Sequence, residues 1–124
     1  MARRAPVFLD LRRIHLPPPG RVSILHRVSG VLLALAVPGS LWLLQLSLRP
    51  DGMAAIARGL HSPPGVLLAV GLAWSLSHHL LAGLRFLLLD LDIGIGRAAS
   101  ARSARWVLAG APVLAAAILA RLYL

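Results

Sequence analysis

The chain of 124 residues has no cysteine, no lysine and no glutamate. The missing cysteine excludes a disulfide framework, a thiolate metal site and cysteine-bound iron–sulfur clusters. Only 14% of residues are charged, against about 25% in an average soluble protein. With 58% apolar residues, a chain this short would expose a large apolar surface if it folded in water. The same apolar fraction excludes a disordered basic tail. Acid is scarce as well: four Asp stand against thirteen Arg, a net charge of +9. No carboxylate pair, nucleophile triad or phosphate-binding glycine loop is present. Gly94-Ile95-Gly96 is too short for a nucleotide fingerprint. What is present is length of apolar run, and it points to a small membrane protein.

Val28 to Leu48 carries no charge over 21 residues. At 1.5 Å per residue that crosses a hydrocarbon core of roughly 30 Å. Arg49-Pro50-Asp51-Gly52 is a turn-forming break. Pro63-Pro64-Gly65 opens a second run that continues to Leu84, is interrupted by Arg85 and is closed by Asp90 and Asp92. Trp106 to Leu124 is a third run, with Arg121 placed to snorkel. Runs of this length, rich in Leu and Ala, predict helices rather than strands. The reading is an all-α integral membrane domain of three transmembrane helices with a short extended N-terminal arm. Its expected boundaries are an arm at 1–21, helices at 22–48, 63–89 and 105–124, an outer loop at 49–62 and a cytoplasmic loop at 90–104. Pro38 and Pro112 are candidate kink positions in the first and third helices.

Nine Arg lie in the first 27 residues and the second connector, against Arg49, Arg58 and Arg121 on the other side. By the positive-inside rule the N-terminus is expected in the cytoplasm. Pro17-Pro18-Pro19-Gly20 separates the first Arg residues from the apolar run, unlike a secretory signal. Because the Arg residues flank spans and form no groove-reading stripe, nucleic acid is not an expected partner.

Polar residues within the spans carry the functional signal, since lipid makes them costly. His79 falls near the middle of the second run, with Ser75 and Gly83 at i−4 and i+4 on its own face. Small residues above and below an imidazole leave room for a flat ligand such as a haem. Spacing alone leaves a second reading, a hydrogen bond to a neighbouring helix. His78 points about 100° away and has Trp74 at i−4. No second mid-membrane His is evident on another helix, so a bis-His haem would need its other ligand from a partner. In the first helix Ser23 and Arg27 share a face, and His26 lies beside them with Gly30 at i+4. An Arg and a His there can pair with haem propionates, and a Ser and an Arg can hydrogen-bond a quinone carbonyl. Positive-inside anchoring is the alternative for Arg21 and Arg27.

Two segments resemble a known family. One is Arg4-Ala5-Pro6-Val7-Phe8-Leu9-Asp10-Leu11 followed by Ser23-Ile24-Leu25-His26-Arg27-Val28-Ser29-Gly30. The other is His79-Leu80-Leu81-Ala82-Gly83-Leu84-Arg85-Phe86-Leu87-Leu88-Leu89-Asp90, where Phe86 replaces the family's second His. Together they resemble the cytochrome b membrane-anchor subunit of succinate dehydrogenase (succinate:quinone oxidoreductase). The resemblance implies a subunit of the bacterial cytoplasmic (inner) membrane that is not catalytic alone. Its implied partners are a flavoprotein with FAD, an iron–sulfur protein and a second anchor, with haem b and a quinone held between the anchors. It implies His79 as axial haem-iron ligand, with the second ligand from the other anchor. It also implies Ser23 and Arg27 at the quinone, and His26 and Arg27 near the haem propionates. A purely structural anchor without haem contact and a small transporter are the alternatives. A proton-coupled transporter usually needs an intramembrane carboxylate, and the spans have none.

Overall fold

A computed structural model describes residues 15–124. The expected arm at residues 1–14 lies outside the described residues. The described chain is helical throughout, in the order α1 (Pro18–Ser47), α2 (Gly52–Leu60), α3 (Pro63–Asp90) and α4 (Arg97–Tyr123). Among the described residues α1, α3 and α4 are the helices long and apolar enough to cross a membrane. They form a three-helix bundle in which α3 is the central element, packed against both α1 and α4.

Three helix limits differ from the sequence expectation. α1 starts at Pro18, four residues before position 22, because Pro18 and Pro19 occupy its first turn. A missing N–H costs nothing there, so the prolines begin the helix rather than precede it. The expected outer loop contains α2, whose Ala54, Ala55 and Ala57 favour helix despite the short length. α4 starts at Arg97 instead of 105, since Ala98, Ala99, Ala101 and Ala104 sustain a helix through a segment too polar to read as a span. The true turn between α3 and α4 is Leu91–Gly96. It reverses through left-handed backbone at Asp92 (φ 60°) and Gly94 (φ 78°). Pro38 and Pro112 lie inside α1 and α4, which continue through them.

Ser62 caps α3 by accepting from the Gly65 N–H at 3.3 Å, with Pro63 and Pro64 filling the first turn behind it. Small residues bring α3 and α4 together: Ala82 on α3, and Ala104, Val107, Ala111 and Ala115 along one face of α4. Without a strong hydrophobic drive between helices in lipid, close contact of small side chains is what such packing rests on. At the opposite end the Tyr123 hydroxyl donates to the Leu60 carbonyl at 2.9 Å, tying the last turn of α4 to α2. By contrast α1 buries only Val22 and Ser29 of its 30 residues.

Candidate functional site

The polar side chains of the spans gather where α1 crosses α3. His26 and His79 stack face to face, ring centroids 4.1 Å apart and planes 9° from parallel. The two rings therefore share one depth. The sequence reading that no second imidazole lies level with His79 is corrected by this contact. Its cause is the early start of α1, which places His26 eight residues into that helix, while His79 stands eleven residues before the end of the antiparallel α3.

His79 is oriented through Nδ1, which lies 3.2 Å from the His26 carbonyl and 3.4 Å from Ser29 Oγ. The carbonyl can only accept, so Nδ1 carries a proton, which in the neutral ring leaves the lone pair on Nε2. Among the described residues Nε2 has no hydrogen-bond partner. Ser29 is fully buried and donates to the same His26 carbonyl at 3.0 Å. A Cβ at Gly30 would lie 3.0 Å from Cε1 of His79, so glycine is what lets the ring lie against α1. On its other side His26 meets the edge of Phe86, centroids 5.1 Å apart. Ser29 and Phe86 are not among the sequence expectations for this arrangement, and Gly30 enters them only as the small residue one turn after His26. The i+3 and i+4 positions of Ser29 and Gly30 after His26 were the available signal.

Ser23 and Arg27 lie on one face of α1, Ser23 half-buried and Arg27 exposed. The structure brings His26 onto His79; it leaves Arg27 on the open side of the bundle. Arg85 is turned the other way. It is buried and donates from Nε to Ser103 Oγ at 3.0 Å, and from Nη2 to the Ser100 Oγ and carbonyl at 2.8 and 3.1 Å. Its guanidinium also stands 5.5 Å from the Phe86 ring centre. His78 is 1% exposed, stacks on Trp74 and has no hydrogen-bond partner at either nitrogen.

Among the described residues no group of three or more His, Cys, Asp or Glu could hold a free metal ion. Beside the two histidines an apolar groove of about 490 Å³ runs between α1 and α3. Leu32, Leu35, Leu68 and Leu72 line it, and it ends at Ser75, one turn from His79. The site therefore offers one lone-pair imidazole at the edge of an uncovered apolar face, with cationic and hydroxyl groups toward the N-terminal end of α1.

The model of the succinate dehydrogenase/fumarate reductase transmembrane subunit family matches residues 1–119. The chain belongs to that family. It is 32% identical over 111 residues to the succinate dehydrogenase cytochrome b556 subunit of Paracoccus denitrificans, covering 89% of this chain and 85% of that one. It is 38% identical over 96 residues to the subunit of the same name from Coxiella burnetii, covering 73% and 74%. Together with the three spans, membership makes this succinate dehydrogenase-type subunit a multi-pass protein of the bacterial inner membrane.

Proposed function

We propose that the chain is the haem b-binding anchor of a succinate:quinone oxidoreductase. In this reading it holds the flavoprotein and iron–sulfur subunits at the membrane and contributes to the quinone-reduction site. The observation that carries the reading is the His79 imidazole. Its Nδ1 is fixed by the His26 carbonyl, its Nε2 is free, and it sits among small residues inside an apolar span. Fixing one ring nitrogen by a backbone carbonyl is the usual way a protein sets the tautomer of a ligating histidine.

The residues fit a haem held by two histidines from two chains. The His26–His79 stack sets the rings face to face, so their nitrogens do not converge on one ion between them. A second histidine would come from the second anchor, whose place would be the α1–α3 face that this chain leaves open. Haem b supplies a one-electron store when bound. His79 would hold the iron, and His26 and Arg27 would offer donors to the propionates. Ser23 and Arg27 donate to a quinone carbonyl, which accepts and cannot donate. FAD and the iron–sulfur clusters belong to the partner subunits, on the side of the N-terminal end of α1.

One variant panel in the assembled complex tests this. His79→Ala abolishes the low-spin bis-His spectrum, whereas His78→Leu, at a ring with no polar partner to lose, retains it. Arg27→Gln lowers quinone reduction roughly 10- to 150-fold, the equivalent of one charge-assisted hydrogen bond, and leaves reduction of a soluble artificial acceptor intact. Ser23→Ala does the same more weakly. A normal spectrum in His79→Ala overturns the haem assignment. Parallel loss of both activities in Arg27→Gln overturns the quinone assignment.

A further inference from the structure

The α3–α4 side of the bundle carries a second groove, unconnected with the histidines. Leu81 on α3 lines it, and Leu81 stands two residues after His79, hence about 200° around the helix axis. Toward the membrane centre this groove measures about 570 Å³ and is lined by Ala109, Gly110, Val113 and Ala117 against Leu81. At its surface end it runs into a smaller groove formed by Arg102, Arg105, Trp106 and Ala109. Trp106 and Ala109 border both, so the two grooves adjoin along α4 and together form a channel-like track.

The channel changes character along its length in a definite order. Two exposed Arg stand at the surface end, no acidic residue lines either part, and Trp106 is 73% exposed at the step between them. Arg105 Nε donates to the Ala101 carbonyl at 3.3 Å, which leaves its terminal nitrogens for a ligand. From Arg105 to Ala117 the helix rises about 18 Å, close to the roughly 15 Å of one leaflet's hydrocarbon. Charge, aromatic step and apolar trough thus follow the order of phosphate, glycerol and acyl chain in a phospholipid. Trp favours that interfacial level, and Arg attracts anionic headgroups there.

We propose that this channel binds one anionic phospholipid in the leaflet at the N-terminal end of α1. Arg102 and Arg105 take the phosphate, and one acyl chain lies along α4 from Ala109 to Ala117. The test uses the assembled complex, exchanged into phosphatidylcholine bilayers containing phosphatidylglycerol, released into detergent and weighed by native mass spectrometry. Phosphatidylglycerol is retained in preference to phosphatidylcholine. Arg102→Gln with Arg105→Gln lowers that retention about 25-fold, at about fivefold per Arg near an anionic surface. Val113→Trp, at a lipid-exposed position that fills the trough, lowers it too. The haem spectrum and the artificial-acceptor activity stay unchanged in all variants, which separates this result from any failure of the histidine site. Equal retention of the two lipids, or unaltered retention in the Arg double variant, overturns the proposal. So does a photo-crosslinker at position 106 that captures another subunit instead of lipid.

Discussion

At Gly30 one absent carbon decides how the His79 ring lies. A Cβ there would stand 3.0 Å from Cε1, tighter than van der Waals contact. Alanine requires a shift of a few tenths of an ångström. Valine requires the ring to turn, and turning breaks the Nδ1 contact with the His26 carbonyl. Gly30→Val is therefore expected to lower haem content per complex, measured as pyridine haemochrome. Gly39→Ala, with nothing near the added carbon, keeps full haem and gains roughly 0.5–1 kcal/mol of helix stability. Unchanged haem in Gly30→Val would show that the ring does not need its position against α1. That His79 has small neighbours was legible in the sequence, because Ser75 and Gly83 lie one turn away on its own helix. That His26 lies flat against it was not legible. Depth across two helices depends on where each begins, and the prolines that begin α1 also read as a break. The burial of His78 without a polar partner was equally invisible, since it depends on the packing of three helices and not on spacing within one.

At the scale of elements, Arg85 fastens α3 to the first turns of α4. A buried guanidinium is tolerated because Ser100 and Ser103 present three acceptors to it. Each hydrogen bond from a charged group is worth about 1.5–3 kcal/mol, and a charge left short of acceptors costs more than a charge removed. Ser100→Ala with Ser103→Ala should lower the thermal midpoint of the detergent-solubilised complex, followed by far-ultraviolet circular dichroism. Adding Arg85→Met to that pair should recover part of the loss, because the stranded charge is gone. A triple variant whose cost equals the sum of the separate changes would show that the three side chains do not act together. This clasp also explains why the start of α4 escaped the sequence reading. The segment from Arg97 to Arg105 has too many polar residues for a span, yet its serines are turned inward to an arginine and its alanines hold the helix. The three long spans were readable because hydropathy over about twenty residues is a property of the segment itself. Helix ends are set by partners elsewhere in the chain.

For the whole molecule, three antiparallel spans place the N-terminal end of α1 and the α3–α4 turn at one membrane surface, with α2 at the other. Which surface faces the cytoplasm is a matter of charge. Counted along the sequence, nine Arg belong to the first 27 residues and the α3–α4 connection and three to the α1–α3 connection and the last turn of α4, with Arg85 buried inside the bundle and counted for neither. By the positive-inside rule such an imbalance predicts the arginine-rich end inside, which labelling tests. The chain has no native cysteine, so single cysteines report cleanly on this subunit when its band is resolved by mass. Ala98, exposed in the first turn of α4, and Ala57, exposed on α2, are suitable positions. With a membrane-impermeant maleimide on intact spheroplasts, Ala57→Cys should label at once, and Ala98→Cys only after lysis. The outcome bears on more than topology. Ser23, Arg27 and the lipid-sized channel by Arg102 and Arg105 all lie toward the same end of the bundle. If that end faces the cytoplasm, a quinone at Ser23 stands beneath subunits that oxidise succinate from the cytoplasm. If Ala98→Cys labels from outside, the quinone site and the soluble electron donor would be on opposite sides of the bilayer, and the proposed placement of Ser23 and Arg27 at the reduction site would fail with the orientation.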